Sequence, residues 1–132
     1  MKLLKTTQIL TFLAFVLFAT TGCQKEEKQL VSTWQCTLTD SDYSRNSYTE
    51  THVLTLNDNN SFTWSITYSS KDYDNEYFAG TYLFDNENSK IYFTSHVNNS
   101  TISYMVSMLD DKLVLSDYKT EGEEGILVFK KN

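Results

Sequence analysis

From Phe62 to Tyr68 the chain reads Phe-Thr-Trp-Ser-Ile-Thr-Tyr, with apolar or aromatic residues on one parity and Ser or Thr on the other. Successive side chains of a strand point to opposite faces, so this segment predicts a half-buried β-strand. Less pure versions of the pattern recur over 30–38, 48–57, 77–85, 90–97, 101–109, 112–117 and 125–130, which makes eight predicted strands. Between them stand Asp58-Asn59-Asn60, Asn86-Glu87-Asn88-Ser89, Asn98-Asn99-Ser100 and Asp110-Asp111. These residue types tolerate the backbone of tight turns. The 101–109 segment could pass for a short helix, but its β-branched and aromatic residues alternate and favour a strand.

Connections this short make sequential strands antiparallel neighbours, and eight of them form a meander. The expected fold is therefore all-β, an eight-stranded antiparallel up-and-down barrel, whose closure removes exposed edges. A two-sheet β-sandwich is the alternative, since the same alternation serves both. The inward face is expected to carry Trp34, Leu54, Leu56, Phe62, Trp64, Ile66, Tyr68, Phe78, Tyr82, Phe84, Ile91, Phe93, Ile102, Tyr104, Val106, Leu113 and Leu115. A barrel of this size has room for side chains or for one small ligand. So many rings predict a filled lower half with a shallow apolar cup above it.

The N-terminus departs from this pattern. Two lysines within Met1 to Lys5 precede the apolar block from Ile9 to Ala19, too short for the roughly 20 residues of a membrane-spanning helix. Such a block reads as the core of a signal peptide. It ends in Ala19-Thr20-Thr21-Gly22-Cys23, which resembles a bacterial lipobox, with Thr20 where leucine is usual. That resemblance implies a lipid on the Cys23 thiol. The following Lys25-Glu26-Glu27 resembles the export signal of surface lipoproteins in the Bacteroidota. The expected organisation is a signal peptide over 1–22, a lipidated tether over 23–29 and a barrel domain over 30–132. The implied location is the outer membrane, lipid-anchored and facing the cell exterior.

Composition sharpens these readings. A chain of 132 residues holds one core. Removing the first 22 residues takes away two lysines and no acid, so 9 basic residues face 17 acidic ones and the formal charge falls from −6 to −8. Such acidity argues against nucleic acid as a partner. With Cys23 acylated, Cys36 is the one thiol left, and no internal disulfide can form.

Loop parity gives the barrel two different ends. The odd connections, 39–47, 70–76, 98–100 and 118–124, are mostly long, whereas the even ones, 58–60, 86–89 and 110–111, are all short. Long irregular loops concentrate function, so the odd end is the expected mouth. The first strand enters from the even end, which directs the mouth away from the anchoring membrane. The odd loops hold Tyr43, Tyr73 and Tyr118, with Tyr48 and Tyr77 at their edges, among Ser and Asn. Tyrosine in such company supplies rigid amphipathic contact area. The same loops carry eight acids against Arg45, Lys71 and Lys119. The candidate ligand or partner residues are accordingly Tyr43, Tyr73, Tyr77, Tyr118, Tyr68 and Trp64. A solubilising surface in which these tyrosines merely cover the barrel end is the competing reading.

Leu30 and Trp34 on the first strand, Gly80 and Tyr82 in the middle, and a terminal Val128-Phe129-Lys130 resemble the small lipocalin-like lipoproteins of the Bacteroidota. In lipocalins a glycine stands where this chain has Ser32, and an arginine of the last strand lies across the tryptophan. Lys130 is the expected stand-in for that arginine. The resemblance implies a barrel that binds a small apolar or sugar-like ligand at its mouth. An interaction or inhibitor module that uses the acidic, tyrosine-rich rim is the alternative. Chemistry-bearing motifs are otherwise sparse. Asp72-Tyr73-Asp74-Asn75-Glu76 lacks the glycine and distal glutamate of a calcium loop. His52 and His96 are expected on strands two and five, which are not neighbours, and Cys36 reads as a small buried hydrophobe. Neither enzymatic activity, nor a metal, nor a cofactor is expected.

Overall fold

The computed structural model describes residues 29–41, 46–117 and 125–132, and divides the chain into residues 1–30 and 31–132. Of the first unit only Gln29 and Leu30 are described, and both are helical. Cys23, Lys25, Glu26 and Glu27 lie outside the described residues, as do Tyr43 and Tyr118. Among the described residues no helix is long and apolar enough to cross a membrane.

The second unit is a closed antiparallel barrel whose strands follow one another in chain order. They are β1 (Ser32–Ser41), β2 (Ser47–Leu56), β3 (Ser61–Tyr68), β4 (Glu76–Asp85), β5 (Lys90–Ser95), β6 (Thr101–Leu109), β7 (Lys112–Asp117) and β8 (Gly125–Lys131). The meander expected from alternation and turn residues is thus the fold, and the sandwich is not. Four turn residues take the left-handed backbone, Asn60 at φ 64°, Ser89 at 50°, Asn99 at 55° and Asp110 at 55°. Each falls inside one of the four expected turn clusters. Asn and Asp bear this conformation at lower cost than most side chains. The Asp85 carboxylate accepts from the side-chain and backbone N–H of Asn88, at 2.7 and 3.2 Å. Those bonds hold it below the usual carboxylate range.

Most strand ends fall within one residue of expectation, and β1 and β5 depart further. β1 runs over Ser32–Ser41 rather than 30–38, and β5 stops at Ser95 rather than Val97. The end of β5 has a visible cause. Asn99 N–H bonds back to the Ser95 carbonyl, and Ser95 N–H bonds to Ser100, both at 2.9 Å, which closes a turn over 96–99. His96 therefore sits in that turn and not on a strand. Its Nδ1 donates to the Ala79 carbonyl at 2.6 Å. Gly80, beside that contact, lets β4 press on β5. A Cβ there would stand 1.9 Å from the Thr94 carbonyl oxygen, so any side chain would displace backbone.

Even-numbered residues of β1, β2 and β3 face inward. Trp34, Leu54, Leu56, Ile91, Leu113, Leu115 and Phe129 are sealed from solvent. Except for Leu115, which is set deeper along β7, they lie towards the even end, so that end is the filled one. Tyr82 reaches across it, and its hydroxyl donates to the Asn57 carbonyl in the β2–β3 turn at 2.8 Å. The cation over Trp34 is Lys131, with Nζ 5.8 Å from the ring centroid. Lys130 does not take that place. Trp34 pairs with Lys131 and Gln35 with Lys130, so parity turns Lys130 to the outer face.

The seam that closes the barrel is short. β1 meets β2 from Ser32↔Leu56 to Ser41↔Ser47, whereas its register with β8 consists of Trp34↔Lys131 and Gln35↔Lys130, both at the even end. Above them Cys36 is buried between the two strands. Burial pushes its thiol up, opposed by a hydrogen bond with the Val128 backbone.

Candidate functional site

Above the filled end, the upper halves of β3 to β6 enclose a cavity of about 300 Å³. Phe62, Trp64 and Phe93 lie at its base, and Ile66, Phe78, Ile102 and Tyr104 form its wall. Its polar edge is Glu76, Ser95 and Ser100. The base residues are buried, whereas Phe78 is 43% and Ile102 52% exposed. The cavity is therefore a cup that opens at the odd end. Its size is at the lower limit of small-molecule sites, and its apolar lining with a few polar groups is typical of them.

The base is rigid for a structural reason. Trp64 packs edge-on against Phe93 and Phe129, at centroid distances of 5.5 and 6.0 Å, and tilts against Tyr104 at 5.8 Å. Phe62 lies 4.8 Å from Phe93. Such edge-to-face pairs contribute about 0.5–1.5 kcal/mol each beyond the area they bury.

Behind this base runs a polar chain. Trp64 Nε1–H donates to His52 Nδ1 at 3.0 Å, and His52 Nε2 lies 2.6 Å from Glu50 Oε1. An indole nitrogen can only donate, so Nδ1 is the acceptor and the ring proton sits on Nε2, pointed at the carboxylate. His52 is 4% exposed, and both its nitrogens are satisfied inside the barrel. No buried side-chain N or O among the described residues lacks a partner. The chain links the centre of the barrel to Glu50, nearer the mouth.

Three tyrosines gather at the rim beside the Glu76 edge of the cup. Tyr73 lies 4.8 Å from Tyr48 and 5.4 Å from Tyr68, ring to ring. The loop that carries Tyr73 is tied down locally. Thr49 N–H donates to Ser69 Oγ at 2.8 Å, Ser69 N–H to the Thr49 carbonyl at 2.9 Å, and Tyr68 N–H to Asn75 Oδ1 at 3.2 Å. Tyr68 Oη donates to Glu76 Oε2 at 2.9 Å. Loss of solvent around the phenol, then its bond to Glu76, pushes Tyr68 up to about 12. Tyr48 is likewise pushed up to about 12 by loss of solvent, then by the charge of Asp40 and its bond with Tyr73.

Of the residues expected to bind, the structure brings Tyr68 and Tyr73 together and sets Trp64 beneath the cup. Tyr77 is apart from them. Its neighbours Glu76 and Phe78 turn inward, which leaves Tyr77 on the outer face and 68% exposed. Sequence reasoning missed the placing of His52, although its parity with Leu54 and Leu56 assigns it to the interior. It also missed Phe129, whose parity is fixed only by pairing with Leu113. Within the acidic 72–76 segment, Asn75 and Glu76 both bond to Tyr68. Among the described residues no group of three or more His, Cys, Asp or Glu side chains is placed to hold a metal.

The NlpE N-terminal domain, a bacterial lipoprotein family, matches residues 35–125, from β1 to the start of β8. The chain belongs to that family. No curated protein and no solved structure matches it. NlpE membership supports the lipoprotein class, the barrel and a membrane-anchored location, consistent with the outer membrane. It carries no lipocalin assignment.

Proposed function

We propose that this NlpE-type barrel is a lipid-anchored binding protein of the outer membrane that holds a small, mainly apolar ligand in the cup at its odd end. The observation that carries the reading is the cup itself, a ring-lined void of about 300 Å³ over a fully packed base. In a monomer without a ligand to accommodate, half-exposed Phe78 and Ile102 facing a void have no evident use. The reading is of a binding protein and not an enzyme. Native mass spectrometry of the protein extracted from its own membranes tests it. A retained small-molecule mass, lost on widening the cup wall with Phe78→Ala, is the expected result; bare protein in every preparation counts against the reading.

The finer part of the reading places the mouth outward on the cell exterior, with Cys23 lipidated and Lys25-Glu26-Glu27 directing export as in the Bacteroidota. Each buried methylene of an acyl chain contributes about 0.8 kcal/mol to anchoring, so two chains hold firmly. Protease added to intact cells is expected to remove the native protein and to spare a variant carrying Glu26→Ala and Glu27→Ala. Equal removal of both would refute the export signal. The acidic tyrosine rim also supports a second reading, in which a basic protein partner docks at the mouth. That reading predicts a copurifying protein in place of a small-molecule mass.

A further inference from the structure

We infer that the occupant of the cup is a small organic cation, an amine or quaternary ammonium carried on an apolar body. The inference rests on the reading of the cup as a binding site and names the class of its ligand.

Among the described residues, the charge that faces inward at the odd end has one sign. Glu76 is the charged residue that lines the cup, Glu50 projects into the barrel on neighbouring β2, and Asp40 takes the same parity at the end of β1. Among the described residues no Lys or Arg lines the cup. The Glu76 carboxylate is held in place by Tyr68 Oη on Oε2. Around it the surfaces are aromatic, with Phe78 and Tyr104 in the wall and Trp64 below. A positive head group would meet both a fixed carboxylate and ring faces, each of which attracts a cation. An anion would face repulsion that the Ser95 and Ser100 hydroxyls offset only in part, and a neutral ligand would gain the apolar wall and those hydroxyls without the charge attraction. A bare metal ion fits poorly. Calcium takes six to eight oxygens, and this lining offers one carboxylate and two serines in an otherwise apolar surface.

The depth order is equally specific. Phe62, Trp64 and Phe93 at the base are buried, and Glu76 is exposed at the edge. The ligand therefore enters with its apolar body first and keeps its charge at the rim. This arrangement leaves the cation partly hydrated and avoids the cost of burying it whole.

The experiment compares three probes with one apolar body, 3-phenylpropylamine, 3-phenylpropanol and 3-phenylpropanoate, by calorimetry on the full chain in detergent at neutral pH. The amine is expected to bind about tenfold more tightly than the alcohol, the scale of one partly exposed ion pair plus a cation–π contact. The propanoate is expected to bind most weakly. Glu76→Gln should remove most of the gap between amine and alcohol. Because partition into detergent is the same for both proteins, only the difference between them is read. An amine-to-alcohol ratio that is the same in the native protein and in Glu76→Gln would overturn the cation and leave the cup standing. Absence of binding by all three probes would overturn the cup itself, and this inference with it.

Discussion

The two ends of this barrel are built from the same kinds of inward-facing residue and reach opposite outcomes. At the even end Trp34, Leu54, Leu56, Ile91 and Phe129 are closed off from water; at the odd end Phe78 and Ile102, of the same parity and similar apolarity, stand half in solvent. The difference lies in the strand pairing. β1 and β8 are joined at Trp34↔Lys131 and Gln35↔Lys130 and carry no further register towards the odd end. At the base, rings from separate strands meet, Trp64 against Phe129 and Phe62 against Phe93. At the mouth β4 runs on to Glu76 beyond its last pair with β5, Gly80↔Ser95, so Phe78 has no β5 residue opposite it. Inward parity is therefore a statement about direction, and burial also needs a facing partner within reach.

The largest break in this comparison is expected from truncating one ring at each end. Trp34→Ala should cost roughly 3–5 kcal/mol, as for other large buried aromatic residues. Phe78→Ala should cost less than about 1 kcal/mol, since exposed positions rarely exceed this. Urea denaturation of both variants measures the contrast, and equal losses would show that the mouth is packed as well as the base. A middle-sized effect comes from the residue that joins the two halves. Trp64→Phe removes the donor to His52 Nδ1 and leaves a buried acceptor unmet, at about 1–3 kcal/mol. Its melting temperature should fall between those of the other two variants.

The smallest effect concerns the rim tyrosines. Tyr48 and Tyr68 have folded-state values raised to about 12 from the ordinary 10.0. Folding favours their neutral forms, so the stability they add is present below pH 10.0 and is lost as pH rises towards about 12. Both are solvent-accessible enough for the loss to be slight. Absorbance titration of Tyr68→Phe against the native chain should remove one late-ionising phenol. If the missing phenol instead titrates near 10, the rim does not shield it.

Much of this was legible in the chain. Alternation around Trp64 and the Asn and Asp clusters at Asn60, Asn99 and Asp110 located strands and turns within a few residues, because both signals are local. What was not legible depended on pairing between distant segments. Lys130 and Lys131 are equivalent until β8 is set against β1, after which one residue of parity decides which of them covers Trp34. His52 stood out as a possible chemical group because it is polar, while its two hydrogen bonds, one from Trp64 on the next strand, could not be read from its neighbours. The cup itself follows from where the strand pairings end, which no residue encodes singly.

The short β1–β8 seam also bears on how the molecule assembles. Every other strand pair is formed between segments that a single connection joins, so each can zip within a few residues of its turn. Trp34 and Lys131 are 97 positions apart, and their pairing must wait until the intervening chain has curled. The rate of folding is therefore expected to be set by this late closure, as contact order predicts for non-local pairing. The same seam, with little register to hold it, is where amide exchange should first reveal the barrel opening in its native state.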